Sequence, residues 1–465
     1  MKTIIDPPGA LTPGLAALRT EFAVPAGFPP QVVAAAEQAA RRSPTEHVDR
    51  TDRAFVTLDP ASSTDLDQAF AIEAAGADLL LHYAIADVAW FVRDGDPLDV
   101  EAWRRGETLY LPDGRAPLYP PQLSEAAASL LPTGPRPAVI FTVRVAPDGA
   151  VRLDGVERAI VHSRVKLAYE TVTDADLPTG FADLARRIAA AEDARGASRV
   201  DPPEQEVAAT ADGNHTLAFR PRLTSEDRNA ALSLATNMAV ADSLQAHATG
   251  LFRVMASPDD HAVVRLRHTA AALGLTWPAD QPLAAFQRGL RADIPAQAAF
   301  MLATRRAGQG ASYVPYRAGV VPWHAAMAAT YCHATAPLRR LADRYVVQAA
   351  LAVANGRSVP AEVNAAFDRL PPVMARADAL AGKLTRAVID LAEAVMLLPH
   401  VGERFAAVVT DVDEHGARIQ LRDLAVVARL ATRGLRPGDA IEVVLSAVDP
   451  ERRQVTFAPD PSPRT

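Results

Sequence analysis

Carboxylates and guanidinium groups are concentrated in two short segments that lie far apart in the chain. The first segment contains Asp59, Asp65 and Asp67, and the second contains Arg339 and Arg340 shortly after a proline. Clustered carboxylates bind hard cations such as magnesium, and paired arginines bind phosphate oxygens. An acidic metal site opposite an arginine pair has the chemistry that hydrolysis of a phosphodiester bond requires.

The acidic segment is predicted to follow a buried strand. Residues 54–58 are apolar or β-branched and end at Asp59, after which loop residues begin. Asp65 and Asp67 are two residues apart, so in extended backbone their side chains point the same way. Three carboxylates this close repel one another unless a cation lies between them. The alternative is a solvated turn in which the Asp side chains bond their own backbone, whereas the spacing does not fit an EF-hand calcium loop.

Composition limits the classes of protein that need to be considered. Cys332 is the only cysteine, so an internal disulfide is excluded and we expect a reducing compartment, the cytoplasm. No apolar run is long enough to span a membrane, and the first residues do not resemble a signal peptide. The net charge of −7 argues against a protein that coats nucleic acid with its whole surface. A local basic channel is still compatible with that charge.

Breaks in the pattern divide the chain into three parts. Residues 1–45 contain two short helical runs, at 15–22 and 31–42, and we expect them to form a small N-terminal segment. Strand patterns at 78–86 and 138–145, and helical patterns at 181–197, 226–250, 260–274 and 340–354, fill residues 46–398. The predicted fold class is therefore α+β.

A separate small domain is predicted for residues 400–460. Five short strand-like runs are separated by turns rich in Gly, Pro and Asp, at 405–410, 417–421, 425–430, 440–448 and 454–458. Five short strands in about sixty residues are typical of an OB-type barrel. Few aromatic side chains are available for base stacking there, so weak RNA-backbone binding and a role in shaping a channel entrance stay equally open.

Taken together, the two charged segments resemble the RNB catalytic domain of the ribonuclease II/R family of 3′→5′ exoribonucleases. The family's acidic pattern, Asp-x5-Asp-x-Asp-Asp, is matched by Asp59, Asp65 and Asp67, with Gln68 at the fourth position. Residues 331–343 are similar to its arginine signature, and residues 108–124 and 163–170 match two further motifs in order. The resemblance covers about residues 46–395. It implies a mixed β-sheet surrounded by helices, followed by an OB-type RNA-binding domain.

The resemblance also implies a metal-assisted reaction. One or two Mg²⁺ ions, with Mn²⁺ as a substitute, would be held by Asp59, Asp65, Asp67 and Gln68. Arg339 would neutralise charge on the scissile phosphate, and the products would be nucleoside 5′-monophosphates. Because an amide brings no charge, Gln68 is expected to weaken metal binding.

RNA contacts follow from the same resemblance. Tyr110 matches the tyrosine that stacks on the terminal base, and Arg339 and Arg340 would hold the strand. Tyr169 and His333 are further candidates, each with a structural role as the alternative. The expected partner is the 3′ end of single-stranded RNA, and the protein is expected to act as a monomer.

Departures from the family pattern leave the substrate and the activity open. Residues 1–45 are too few for the tandem N-terminal OB domains of the family, so duplex RNA with a 3′ overhang is a further expected substrate. The family also tends to place acidic residues just before a helix that ends in Ala-Asn-x2-Val-Ala. Residues 230–241 correspond to that helix here, and none of them is acidic. Two alternatives remain, a catalytically weakened RNA-binding adaptor and a metal phosphodiesterase acting on DNA or small nucleotides.

Overall fold

The structure is a computed structural model that describes residues 4–5, 10–198, 204–210, 213–220, 222–291, 294–308, 310–432 and 434–460. Its strands within these ranges are β1 (Ile4–Ile5), β2 (Val48–Asp49), β3 (Phe55–Asp59), β4 (Gln68–Ala75), β5 (Asp78–Ala86), β6 (Leu109–Leu111), β7 (Gly114–Ala116), β8 (Arg136–Val145), β9 (Val151–Val161), β10 (Ser163–Ala168), β11 (Glu204–Ala209), β12 (His215–Arg220), β13 (Leu251–Met255), β14 (Ala311–Pro315), β15 (Trp323–His324), β16 (Ala329–Thr330), β17 (Arg404–Asp413), β18 (Gly416–Leu421), β19 (Val427–Leu430), β20 (Ala440–Asp449) and β21 (Gln454–Pro459).

The helices alternate with these strands along most of the chain. They are α1 (Leu11–Glu21), α2 (Pro30–Ala40), α3 (Val88–Phe91), α4 (Pro97–Arg105), α5 (Phe181–Arg195), α6 (Thr224–Ala246), α7 (Asp260–Ala272), α8 (Leu283–Arg288), α9 (Pro295–Ala307), α10 (Leu341–Ala354) and α11 (Ala361–Leu397). A π-helical turn spans Leu123–Ala127, and a 3₁₀ turn spans Leu398–His400. None of the helices in the described ranges combines the length and apolarity needed to cross a membrane.

A seven-stranded mixed sheet forms the centre of the larger part of the molecule. Its strand order is β10-β3-β4-β5-β8-β9-β2, with parallel pairs at β10–β3 and β2–β9. The first four residues of β3 are all buried, which explains why the sequence shows a continuous apolar run there. Large side chains from adjacent strands, among them Phe55, Phe70, Tyr83 and Phe141, are fully buried in one core. The predicted α+β class is confirmed.

Helices cover this sheet and supply the second layer of the core. α6 buries residues around most of its circumference and contacts strands β8 and β9. α10 contacts α6, α11 and β9, so the segment that precedes it is anchored close to the sheet. The predicted helices at 181–197, 226–250, 260–274 and 340–354 are confirmed within a few residues.

The C-terminal strands close into a barrel of order β17-β18-β19-β21-β20. All five predicted strands are present, and β20 and β21 pair along most of their length. The barrel shares a hydrophobic core with α1 and α11. Gly14 of α1 allows this packing, because a Cβ there would lie 2.6 Å from the Leu391 side chain.

Some elements differ from the sequence predictions. Helix α1 begins at Leu11 rather than at residue 15, and the 37-residue helix α11 was not predicted. Its Pro371-Pro372 pair, which reads in sequence as a helix break, lies inside the helix. The domain boundaries 1–45, 46–398 and 400–460 stay predictions.

Candidate active site

The acidic segment begins where the central sheet ends. Asp59 is the last residue of β3, and its carbonyl oxygen accepts a hydrogen bond from the backbone N–H of Tyr169 at 3.2 Å. Because β10 runs parallel beside β3, this bond fixes the position at which the chain leaves the sheet. In the part of the chain that the structure describes, no hydrogen bond or ion pair holds the Asp59 carboxylate.

The loop that follows Asp59 is held by side chains from other elements. Lys166 of β10 donates to the carbonyl oxygens of Ala61 at 2.7 Å and Ser63 at 2.5 Å. The Ser129 hydroxyl donates to the carbonyl oxygen of Thr64 at 2.7 Å. These contacts order the loop, although Ala61, Ser62 and Thr64 are exposed to solvent.

Asp65 has a cationic partner within the protein. Arg115 of β7 donates to the Asp65 carboxylate through Nη1, and its Nη2 reaches the Thr64 hydroxyl and the Glu125 carboxylate, the latter at 2.9 Å. The Arg115 side chain is 21% exposed and that of Asp65 is 11% exposed. This guanidinium thus joins the acidic loop to the β6–β7 hairpin.

Asp67 connects the acidic loop to the arginine segment. Its Oδ1 accepts the backbone N–H of Leu338 at 2.7 Å, and its Oδ2 lies 3.5 Å from Nε of Arg339. The Arg339 side chain is 44% exposed, whereas that of Asp67 is 7% exposed. The structure therefore brings Asp67 and Arg339, separated by more than 270 residues in sequence, to the same place.

Arg340 is positioned differently from its neighbour. Its Nε and Nη2 donate to the two carboxylate oxygens of Asp343 at 2.9 and 2.7 Å. Asp343 is completely buried and also accepts the N–H of Ala336 at 2.8 Å. Arg340 is therefore neutralised inside the segment and stabilises its turn.

Gln68 makes three hydrogen bonds to the protein through its side-chain amide. Its nitrogen donates to the carbonyl oxygen of Thr335 at 2.7 Å, while its oxygen accepts from the Tyr83 hydroxyl and, at 3.4 Å, from Ser233. Both acceptor positions of the oxygen are in use. To ligate a cation as the sequence predicts, this oxygen would have to exchange a hydroxyl donor for the ion.

Two of the carboxyl groups are electrostatically unbalanced. Burial raises the pKa of Asp59 to about 7; Arg339 and Lys166 oppose that shift, and Asp65 adds to it. Burial likewise raises the pKa of Asp67 to about 8, against the lowering influence of Arg339 and of the Leu338 N–H. A raised pKa means that the surroundings penalise the ionised form, which a bound cation would correct.

The donor chemistry of this loop fits a hard divalent cation. Asp59, Asp65 and Asp67 offer carboxylate oxygens. The raised pKa values of Asp59 and Asp67 indicate that the protein does not fully compensate the negative charge of these two groups. Within the described ranges, however, no group of three or more Asp, Glu, His or Cys side chains already converges on a metal position. Asp65 bonds Arg115 through Oδ1, so in a three-carboxylate site it would either share its charge with that guanidinium or change partner.

A cavity of about 350 Å³ opens on one side of the Asp67–Arg339 contact. Tyr110, His333, Arg339 and Arg340 all line it, which brings four of the predicted RNA-binding residues together. Tyr110 is 53% exposed, and the neighbouring Thr108 N–H donates to the carbonyl oxygen of Arg339 at 3.0 Å. His333 accepts or donates at 2.8 Å to Tyr313, and burial lowers its pKa well below the usual range, so its ring is neutral.

A second cavity, of about 390 Å³, lies on the other side of Arg339. It is lined by Asp59, Gln68 and Tyr169, so Tyr169 does not share a cavity with Tyr110. The Tyr169 hydroxyl accepts a hydrogen bond from the Asn229 side chain at 2.8 Å. The charged centre therefore separates two polar cavities, each carrying one of the two predicted tyrosines.

Several side chains at the site were not assigned from the sequence. Arg115 and Lys166 lie inside motifs that were recognised, but their contacts with the acidic loop need the fold. Arg253 of β13 and Asp378 of α11 form an ion pair at 3.0 Å in the first cavity. No local pattern marks that pair, because the two residues are 125 positions apart.

Most of the chain is similar to known protein families and curated proteins. The family model described as RNB domain matches residues 47–354, and the one described as RNase II-type exonuclease C-terminal S1 domain matches residues 403–460. Ribonuclease R of Aquifex aeolicus is 26% identical over 94% of this chain and 69% of its own length. Ribonuclease R of Escherichia coli is also 26% identical, over 95% of this chain and 61% of its own length.

Solved structures show the same fold. Mycoplasma genitalium RNase R in complex with ribose-methylated single-stranded RNA aligns with a TM-score of 0.85 at 19% identity, covering 97% of this chain and 78% of that one. The same enzyme in complex with double-stranded RNA gives 0.82 at 19% identity, over 97% and 83%. Yeast Ssd1, a pseudonuclease, gives 0.66 at 15% identity, over 90% and 53%.

These matches extend over both the sheet that carries the charged centre and the C-terminal barrel. With the RNB model alone matching 47–354 of 465 residues, the chain belongs to the ribonuclease II/R family of RNB-domain exoribonucleases, which are hydrolases.

Proposed function

We propose that this chain is a magnesium-assisted 3′→5′ exoribonuclease that releases nucleoside 5′-monophosphates. The observation that carries the proposal is the contact between Asp67 and Arg339, which places a buried carboxylate 3.5 Å from a half-exposed guanidinium between two cavities. A cation site and a phosphate-binding arginine at that spacing fit hydrolysis of a phosphodiester bond.

Asp59, Asp65 and Asp67 would hold one or two Mg²⁺ ions, with Mn²⁺ as a substitute and Gln68 as a fourth donor after exchange of its hydroxyl partner. A bound divalent cation supplies Lewis-acid stabilisation of phosphate charge and lowers the pKa of bound water. Arg339 is available to the scissile phosphate because its side chain is 44% exposed and, within the described ranges, Asp67 at 3.5 Å is its single ion-pair partner. Leu338, through its N–H, holds Asp67 in the orientation that this arrangement needs.

The first cavity is proposed to receive the RNA strand. Tyr110 offers an exposed ring for base stacking, and Arg339 offers a charge for the phosphate. His333 is neutral and contributes hydrogen bonding rather than charge. Arg340, paired with Asp343, would act by holding the arginine turn in place, with at most a weak direct contact to RNA. Tyr169 would contact the nucleotide that enters the second cavity.

The substrates are proposed to be 3′ ends of single-stranded RNA and duplex RNA with a 3′ overhang. The support is that a structural neighbour of the same fold has been seen with both single-stranded and double-stranded RNA. Monomeric state and cytoplasmic location remain predictions of the sequence.

A gel assay tests the reaction class. RNA and DNA oligomers labelled at the 5′ end are incubated with Mg²⁺ or with chelator, and the products are resolved at single-nucleotide spacing. The proposal is supported if RNA, but not DNA, gives a ladder of products shortened from the 3′ end, and if this ladder appears with Mg²⁺ but not with chelator. Equal degradation of DNA favours the broader phosphodiesterase, and degradation in chelator contradicts the metal assignment.

An RNA-binding adaptor without useful activity is the second candidate. Gln68 favours it, because the fourth acidic position of the family is neutral here and its amide is engaged by Tyr83 and Thr335. Yeast Ssd1, described as a pseudonuclease, demonstrates that the fold occurs without nuclease activity. RNA binding without any product over the full range of Mg²⁺ and Mn²⁺ concentrations would establish this role.

Degradation into paired RNA is tested with a hairpin. A hairpin with a 3′ tail is compared with the same tail attached to an unpaired strand. The proposal expects degradation to continue into the stem. Stalling several nucleotides before the stem, as a narrow single-strand entrance requires, would contradict it.

A further inference from the structure

Arg115 is a cationic side chain of the protein that contacts a carboxylate of the acidic loop directly. Arg115 lies on β7, directly opposite Tyr110 of β6 in the hairpin register. Its guanidinium bonds the Asp65 carboxylate and the Thr64 hydroxyl, and it reaches Glu125 at 2.9 Å. Arg115, which lies outside the acidic loop, therefore neutralises Asp65, one of the predicted metal ligands.

The three carboxylates of the loop differ in how they are compensated. Asp65 has a guanidinium in contact, Asp67 has an N–H at 2.7 Å and a guanidinium at 3.5 Å, and no pairing holds Asp59 among the described residues. Asp65 is thus the carboxylate with the closest cationic contact, and its partner Arg115 bonds neither Asp59 nor Asp67. In the described ranges, no group of three or more Asp, Glu, His or Cys side chains converges on a metal position.

We propose that Arg115 is an internal counter-cation of Asp65 that competes with the divalent ion for this carboxylate. The proposal rests on the proposed metal site and names a positioning residue that the family pattern did not assign. Arg115 bonds Oδ1 of Asp65, and a divalent cation on either oxygen of this carboxylate would lie close to the guanidinium and be repelled by it. Arg115 therefore opposes binding of the ion unless its guanidinium moves away from Asp65 toward Glu125 and Thr64.

The remaining partners make this exchange feasible. The Glu125 carboxylate lies 2.9 Å from Nη2, so Arg115 keeps a carboxylate partner after it leaves Asp65. The Arg115 side chain is 21% exposed, which gives water access to the guanidinium during the exchange. Arg19 of α1 holds the same hairpin independently, through two hydrogen bonds to Asp113 at 3.1 and 2.7 Å.

The test measures Mn²⁺ binding to the RNA-free protein, by the electron paramagnetic resonance signal of unbound Mn²⁺ at constant pH. Removal of one positive charge near a divalent ion, as in Arg115→Ala, is expected to tighten binding by about 5- to 10-fold. Arg115→Lys keeps the charge and should remain within about twofold of the wild type. Should Arg115→Ala fail to fold, Arg115→Gln carries the same expectation.

Arg19→Ala is the matched control, because it removes the other anchor of the hairpin without touching the acidic loop. Its Mn²⁺ affinity should equal that of the wild type. Arg115→Ala that binds Mn²⁺ equally or more weakly would overturn the proposal, since Arg115 would then only order the loop. If wild type and Asp67→Asn bind Mn²⁺ equally poorly, the metal site itself fails, which is a different outcome.

Discussion

The acidic loop and the arginine segment meet at the centre of the molecule, but their charges are balanced in opposite ways. In the arginine segment, Arg340 is paired within the turn to the fully buried Asp343. In the acidic loop, Asp59 has no partner among the described residues, and burial raises the pKa of Asp67 to about 8. The buried arginine is thus compensated within its own segment, whereas two carboxylates of the acidic loop are not fully compensated by the protein.

The difference shows which charges are available for function. A buried and fully paired charge such as Arg340 stabilises the fold, because removing its partner would leave an uncompensated charge. A buried carboxylate that lacks compensation destabilises the fold and persists where it binds something. Arg339, half exposed and 3.5 Å from Asp67, lies at the boundary between the two segments.

The largest effect is expected from removing one charge of the unbalanced loop. Asp67→Asn keeps the size of the side chain and an oxygen that can accept the Leu338 N–H, but it weakens cation binding. We expect cleavage to fall by several orders of magnitude while RNA affinity is retained or raised, since ground-state binding rests on arginine and stacking contacts. Parallel measurements of single-turnover cleavage and RNA binding check this. Cleavage near the wild-type rate would mean that the loop is not the cation site.

The two adjacent arginines provide the sharpest contrast. Arg339→Ala should lower cleavage by about 10²- to 10³-fold with little change in melting temperature, since it removes a contact to the reacting phosphate. Arg340→Ala should destabilise the protein by about 3–5 kcal/mol, because it leaves Asp343 buried and unpaired. Thermal unfolding and cleavage of both variants test this. The comparison fails if both variants lose activity and stability to the same extent.

The pH dependence of stability follows from the raised pKa values. Between the ordinary Asp value and about 8, the folded protein binds protons at Asp59 and Asp67 that the unfolded chain has released. The stability that this protonation provides is present at acidic pH and lost as pH rises through 7 and 8. We expect the melting temperature in chelator to fall between pH 5 and pH 8.5, with a smaller fall for Asp67→Asn. Mg²⁺ at pH 8.5 should restore part of the loss in the wild type only. Identical profiles for wild type and variant would refute this assignment.

The smallest effect concerns Gln68. A carboxylate there would keep the Tyr83 and Ser233 hydroxyl donors and add charge near the ion, but it would lose the bond to the Thr335 carbonyl. We expect Gln68→Asp to lower the Mg²⁺ concentration for half-maximal activity modestly, and Gln68→Glu serves as the variant of matched length. An unchanged or higher Mg²⁺ requirement in both would show that charge at this position does not limit binding.

Local chemistry explains what could be predicted from the sequence. The buried run before Asp59 and the turn residues after it mark a strand end by themselves. The five strands of the barrel are separated by turn residues whose preferences act within a few positions, so they were predicted correctly. The motif around Arg339 is likewise contiguous in the chain.

Long-range partners explain the rest. The pairing of Arg340 with Asp343, three residues away, was expected as a salt bridge of Asp343 with a nearby Arg, but the complete burial of Asp343 comes from the packing of α10. The engagement of Gln68 requires β5 and α6 to meet beside the loop, which no local pattern encodes. Helix α11 continues through two prolines because its apolar face packs on both the larger core and the barrel.

The most direct test of the account is a crystal structure of the Mn²⁺-loaded protein with RNA, read by the anomalous signal of manganese. The account predicts a peak about 2.1 Å from carboxylate oxygens of Asp59 and Asp67, as divalent ion–oxygen distances require. Asp65 should turn toward the same ion, and Arg339 should contact the phosphate beside it. A protein that cleaves RNA with manganese bound elsewhere, or with Asp59 unliganded, would contradict the central claim.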